Sequence, residues 1–143
     1  MKKFFCLLVL FLATLSCDKD KQANNGNPFL PNYSFEVTLN MSFPQYSNLA
    51  FPSNSVYVNS AGAGIRGLLV FNAGSGNYLA YDAACPNQSL ADCSTMTING
   101  INAKCACDNT EYSLFTGLAA GKLYPMKAYR VQVIDATTIK VYN

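Results

Sequence analysis

Histidine and tryptophan are absent from this 143-residue chain, and charge is scarce, with 10 Lys and Arg, 8 Asp and Glu, and 13% charged residues in all. Without histidine there is no Ser-His or Cys-His catalysis, no imidazole metal ligand and no imidazole proton shuttle. An average soluble domain carries roughly 25% charged residues. The chain is therefore neither a disordered polyelectrolyte nor a nucleic-acid binder with a basic face. Long apolar runs are missing too. The longest, Phe4 to Leu15, has 12 residues, against the roughly 20 that a helix needs to cross a bilayer core.

What is present begins with an address. Met1-Lys2-Lys3 is a positive start, the apolar run follows, and Thr14-Leu15-Ser16 leads into Cys17 and the charged stretch Asp18-Lys19-Asp20-Lys21. This is the pattern of a cleaved signal peptide over residues 1–16. Its ending resembles a bacterial lipoprotein signal, in which Cys17 becomes the acylated first residue and carries palmitate-type chains. Thr14 stands where that signal usually has Leu, a looseness similar to that of Bacteroidota lipoproteins. The competing reading is a plain secreted protein cut near Ser16. Loss of Lys2 and Lys3 leaves 8 basic against 8 acidic residues in 17–143, so membrane attachment would rest on acyl chains rather than on a basic patch. The expected location is the cell envelope, on the outer membrane at its periplasmic face or surface.

Residues 17–32 are polar, Asn-rich and Pro-punctuated, and read as a flexible tether after the lipidated Cys17. From residue 33 to 143 the pattern is that of one all-β domain. Phe35, Val37 and Leu39 alternate with polar neighbours. Ser55 to Val58 is a second strand. Gly67 to Asn72 and Asn77 to Asp82 flank Ala73-Gly74-Ser75-Gly76 and predict a tight hairpin. Further short strands are expected at Ser94 to Ile98, Tyr112 to Phe115, Tyr129 to Ile134 and Thr138 to Tyr142. No amphipathic helix is evident after residue 20.

Of 6 Cys, Cys6 leaves with the leader and Cys17 carries lipid, so Cys85, Cys93, Cys105 and Cys107 remain, an even set in an oxidising compartment. They sit in Cys85-Pro86-Asn87, with Cys93 downstream, and in Cys105-Ala106-Cys107-Asp108. Together with the hairpin GLLVFNAGSGNYLAYD, the stretch CACDNTEYSLFTG and the later YPMKAYRVQV, this resembles the Rieske ferredoxin family. That family runs from a hairpin into C-x-H and then C-x-x-H, and the likeness covers residues 33–143. The initial strands are similar to those of small Rieske-like lipoproteins of Bacteroidota. The resemblance implies an antiparallel, multi-sheet sandwich or barrel of short strands.

It also implies which residues should hold a 2Fe–2S cluster. Cys85 and Cys105 fall on the two Cys positions, while Asn87 and Asp108 fall where histidines belong, and 17 residues separate Asn87 from Cys105. A Rieske centre needs two imidazoles on one iron and two thiolates on the other. A neutral amide and a hard carboxylate do not replace imidazole nitrogen. The family's covering loop carries Gly-Pro, and the matching place here is Gly121-Lys122. The expectation is a cluster position that has been vacated at Cys85, Asn87, Cys105 and Asp108.

The extra Cys of the family's cytochrome-type branch join its two loops, and Cys93 and Cys107 resemble them. By the same likeness Cys85 and Cys105 would face each other, so the resemblance implies Cys93–Cys107 and Cys85–Cys105. Among the three possible connectivities, the one joining Cys105 to Cys107 is disfavoured, because two residues in extended chain stand about 6.5 to 7 Å apart at Cα, at or beyond the usual limit. Thiolate ligation of zinc or of an iron–sulfur cluster competes with bridging, although C-x-C and a seven-residue gap are poor matches to C-x2-4-C spacing.

Other motifs carry less. Gly62-Ala63-Gly64-Ile65-Arg66-Gly67 fits the dinucleotide string G-x-G-x-x-G, but an apolar strand follows where a helix is required, so it reads as a flexible loop. Arg66 and Asp82 read as solvated or paired charges. The 9 Tyr and 9 Phe read as core and cross-strand pairs rather than as a glycan-binding face. Asn-x-Ser/Thr at Asn32, Asn40 and Asn87 is taken as chance. The expectation is thus a non-enzymatic, lipid-anchored envelope module without cofactor, contacting an unknown protein or glycan partner and no nucleic acid. The alternative is an electron-transfer protein whose cluster has unusual ligands drawn from Cys85, Cys105, Cys93, Cys107, Asp108 and Asn87.

Overall fold

The computed structural model describes residues 26–143. The expected leader (1–16), the lipidation site Cys17 and the tether as far as residue 25 lie outside the described residues. The strands are β1 (Glu36–Asn40), β2 (Ser55–Val58), β3 (Leu68–Gly74), β4 (Asn77–Asp82), β5 (Thr97–Asn99), β6 (Asn102–Lys104), β7 (Glu111–Ser113), β8 (Ala128–Val133) and β9 (Thr138–Tyr142), with 3-10 helices at Pro44–Ala50 and Asp92–Ser94. A six-stranded sheet runs β1-β9-β8-β4-β3-β2, and a three-stranded sheet runs β5-β6-β7. Every strand pairing is antiparallel. The protein is all-β, as its pattern of short alternating strands predicts. Among the described residues no helix is long and apolar enough to cross a membrane.

The apolar run at the start of β3 has a geometric reason. Leu68, Leu69, Val70 and Phe71 are each fully buried, because successive side chains of a strand point to opposite faces. Leu68 and Val70 join one core with Leu39, Leu49, Ile139 and Val141. Leu69 and Phe71 join a second core with Met96, Ala103, Tyr112, Met126 and the inner cysteines, Cys85 and Cys105. Each fully buried side chain of this size contributes about 1.5–3 kcal/mol. The hairpin closes with Gly74 opposite Asn77, after a register shift between Asn72 and Gly74.

Two local expectations are corrected. Residues 26–32 do not behave as tether: Leu30 is buried, Asn27 donates to the Pro86 carbonyl at 2.7 Å, and Phe29 meets Tyr124 edge to face. This short stretch holds enough apolar area to dock once a surface is offered. The strand expected from Ser94 to Ile98 begins only at Thr97, since Asp92–Ser94 winds into a 3-10 turn whose Ser94 Oγ accepts from the Ala91 amide. Pro44 opens a 3-10 helix, whose Leu49 carbonyl accepts from Asn72 inside the core.

Candidate functional site

Three loops meet beside the second core. The loop after β4 is pinched at its neck, where the Met96 amide donates to Ala83 and the Cys85 amide to Ser94. The loop between β6 and β7 is closed by the Cys105 amide donating to Thr110, and the stretch before β8 is held by the Met126 amide on Gly117. Short strands with pinched necks place Cys85, Cys93, Cys105 and Cys107 face to face. Cys85 is bonded to Cys105 with Cα atoms 5.7 Å apart, and Cys93 to Cys107 with Cα atoms 5.0 Å apart. The first bridge is buried and the second faces outward, with Cys93 exposed.

The other positions singled out in the sequence lie on the same loops and are all engaged. Asn87 donates to the Tyr124 carbonyl at 2.7 Å and to the Tyr112 hydroxyl at 2.9 Å, and its side-chain oxygen accepts from the Tyr124 amide at 2.9 Å. Its donors and its acceptor are thus used in tying the first loop to the third. Burial raises the Tyr112 pKa. Asp108 accepts from Lys122 at 2.7 Å and from the Thr110 amide at 3.0 Å. The hydrogen bond from Lys122 is the main cause that holds the Asp108 carboxyl down at about 2. Lys122, noted in the sequence only as a replaced loop residue, therefore joins the third loop to the second. Tyr112 and Tyr124 were not singled out; as aromatic residues among 9 Tyr they carried no distinguishing signal.

Two consequences are measurable. Asn87→Ala removes three hydrogen bonds from a half-buried amide and is expected to lower the unfolding free energy by about 2 kcal/mol, read by urea denaturation. A change under about 0.5 kcal/mol would show that the amide ties nothing down. Asp108 has its pKa depressed on folding, so it stabilises the folded state above the ordinary carboxyl range, and this contribution fades as pH falls toward about 2. Asp108→Asn should flatten the acid limb of the stability profile between about pH 4 and pH 2. The effect is small because the pair is one-third exposed, with side-chain accessibilities of 31% and 33%.

Asp82, expected as a solvated or paired charge, is neither in solvent nor in an ion pair among the described residues. It is fully buried at the end of β4 and accepts from the amides of Ile65, Arg66 and Ala84 and from the Tyr129 hydroxyl at 2.7 Å. The Arg66 guanidinium turns away to the Ala91 carbonyl. Burial, with the Asp82 charge added, raises the Tyr129 pKa strongly. Lys127 is also buried, donates to Asn32, and has its pKa lowered by burial against the opposing pull of Asp82.

This arrangement explains the glycine string without a nucleotide. A Cβ on Gly64 would come within 2.7 Å of the Asp82 carboxylate, and one on Gly67 within 2.8 Å of the Tyr57 ring and the Val58 carbonyl. The Ile65 and Arg66 amides, which a phosphate-binding loop would turn to its ligand, face an internal anion instead. The loop is held rather than flexible, and it borders an open cleft of about 330 Å³ lined by residues 59–67 with Tyr57 and Thr95.

No family model matches the chain, and no curated protein does. Solved structures with a similar course of strands include the complex of reduced oxygenase and oxidised ferredoxin in carbazole 1,9a-dioxygenase, at 20% identity, TM-score 0.48, covering 76% of this chain and 92% of that one. The Sphingomonas yanoikuyae B1 ferredoxin aligns at 18% identity and TM-score 0.48, over 76% and 99% of the two chains. A small subunit described as that of an NADH-dependent nitrite reductase from Mycobacterium tuberculosis aligns at 16% identity and TM-score 0.47, over 78% and 97%.

Proposed function

We propose that this protein is a lipid-anchored envelope module with a Rieske-like β domain that carries no 2Fe–2S cluster. It acts as a binding or accessory subunit for a protein or glycan partner rather than as an enzyme. The observation that carries the reading is how the cluster positions are used. Two of them, Cys85 and Cys105, are bonded to each other, and the other two, Asn87 and Asp108, have their polar atoms engaged by Tyr124, Tyr112, Thr110 and Lys122. A Rieske centre takes imidazole nitrogen, and this chain contains 0 His. The donor set does not fit that group.

The loops are joined to one another by bridges and hydrogen bonds, and the chain enters the domain beside them, through Asn27 on Pro86 and Phe29 on Tyr124. With acylation at Cys17, the ten residues to Asn27 span at most about 35 Å. The anchor would thus keep the three-loop end close to the bilayer surface, suited to holding a partner there.

The test is protein purified anaerobically from the native envelope. Iron and sulfide far below stoichiometric, with no visible charge-transfer band, is the expected result, and Cys17→Ala should release the protein from the membrane fraction. Stoichiometric iron and sulfide would overturn the absence of a cluster, and unchanged fractionation of Cys17→Ala would overturn the anchor. One observation favours a second reading. The sulfur atoms of Cys85, Cys105 and Cys107 lie within 4.8 Å of one another, so a reduced form offers thiolates to zinc or an iron–sulfur cluster. Stoichiometric zinc, or a cluster ligated by cysteine alone, in the same sample would establish it.

A further inference from the structure

The sulfur atoms stand together in unequal surroundings. Cys93 is exposed and Cys107 half-buried, whereas Cys85 and Cys105 are each 1% exposed. The outer bridge, Cys93–Cys107, is the one a reagent in solvent meets first. The inner bridge, Cys85–Cys105, is closed off within the second core. Cys107 belongs to the outer pair, yet its sulfur lies within 4.8 Å of both inner sulfurs. The Ser94 hydroxyl, which donates to the Ser89 carbonyl, lies 3.8 Å from the same sulfur.

We propose that these residues form a thiol–disulfide relay, in which an external thiol opens the outer bridge and Cys107 passes the exchange to the buried inner one. The thiolate of the external thiol attacks Cys93 Sγ, and the electron pair of the Cys93–Cys107 bond leaves with Cys107 as a thiolate. A second external thiolate attacks the mixed disulfide at the reagent's own sulfur, which yields the external disulfide and frees Cys93 as a thiolate that takes a proton from water. These steps oxidise two external thiols and reduce one bridge. The Cys107 thiolate then attacks Cys85 Sγ, the Cys85–Cys107 bond forms, the Cys85–Cys105 bond breaks, and Cys105 leaves as a thiolate that is protonated in turn. This last exchange moves a bridge without further change in oxidation state.

The direction of the transfer follows from chain geometry and exposure. Attack on Cys105 would bond residues two apart, at the edge of what a disulfide spans. Attack on Cys85 carries no such restriction. Bulk thiols reach Cys93 and are excluded from the inner pair, so access fixes the order of events. The proposal adds chemistry to the binding role and is independent of the lipid anchor and of any partner.

The test compares Cys93→Ser with the double variant Cys93→Ser/Cys107→Ser. Both lack the outer bridge and differ only in the relay sulfur. Each is incubated with reduced glutathione under native conditions, quenched by alkylation and mapped by mass spectrometry. The relay predicts that Cys105 becomes alkylated at least about tenfold faster in the single variant, with a Cys85–Cys107 species trapped on the way. Equal rates would overturn it, since a purely structural outer clamp affects both variants alike. Should either variant fail to fold, partial reduction of the wild-type protein decides the matter. The relay requires label on Cys93 first and Cys105 next with Cys85–Cys107 formed, whereas loss of the inner bridge with the outer one intact contradicts it.

Discussion

Replacing Asp82 with alanine is expected to lower the unfolding free energy by about 3 to 5 kcal/mol, a large part of the 5 to 15 kcal/mol that holds an ordinary domain. The carboxylate accepts from three backbone amides and a tyrosine hydroxyl, and it is fully buried. Alanine leaves those donors without their shared acceptor. Each buried donor so orphaned costs about 1 to 3 kcal/mol, partly recovered as the loop relaxes. Tyr129→Phe removes only one of the partners and is expected to cost about 1 kcal/mol. Urea denaturation of both variants measures the difference. An Asp82→Ala loss below about 1 kcal/mol would mean that the loop at 64–66 is organised by something else.

Removing the inner bridge through Cys85→Ala/Cys105→Ala is expected to cost about 3 kcal/mol, because it releases a loop of 20 residues in the unfolded chain. Removing the outer bridge as well releases a further loop and brings the total to about 5 to 6 kcal/mol, comparable to the stability of a domain this size. The variant lacking all four cysteines should therefore be largely unfolded at 37 °C, with poor dispersion of its amide resonances. A quadruple variant that melts within a few degrees of the wild type would show that the loops are positioned by Asn87 and the two cores alone.

The strands were legible where the burial pattern is local. Phe35, Val37 and Leu39 alternate because one face of β1 packs on the core, and the Leu68 to Phe71 run marks a strand covered on both faces. β6 was illegible: only Ala103 of Asn102–Lys104 is buried, and the strand exists because β5 and β7 flank it. Asp82 was misread for the same reason, since its partners at 65 and 66 are brought by the fold and not by neighbouring sequence. Leu30 and Phe29 dock only because Pro86, Tyr124 and the loops around them supply a surface. At the site, the spacing of Cys85, Asn87, Cys105 and Asp108 marked the positions. Spacing disfavoured one connectivity and left two open, and the pairing came from the family resemblance. The Asp108–Lys122 ion pair joins loops whose approach no local pattern encodes.

The account rests on sulfur that is bonded to sulfur rather than to metal. The most direct measurement is intact mass of the natively produced protein, denatured and alkylated without reductant and then with it. The prediction is no label on Cys85, Cys93, Cys105 or Cys107 before reduction, and full label on all of them afterwards. Stoichiometric labelling of Cys85 and Cys105 before any reductant is added would contradict it.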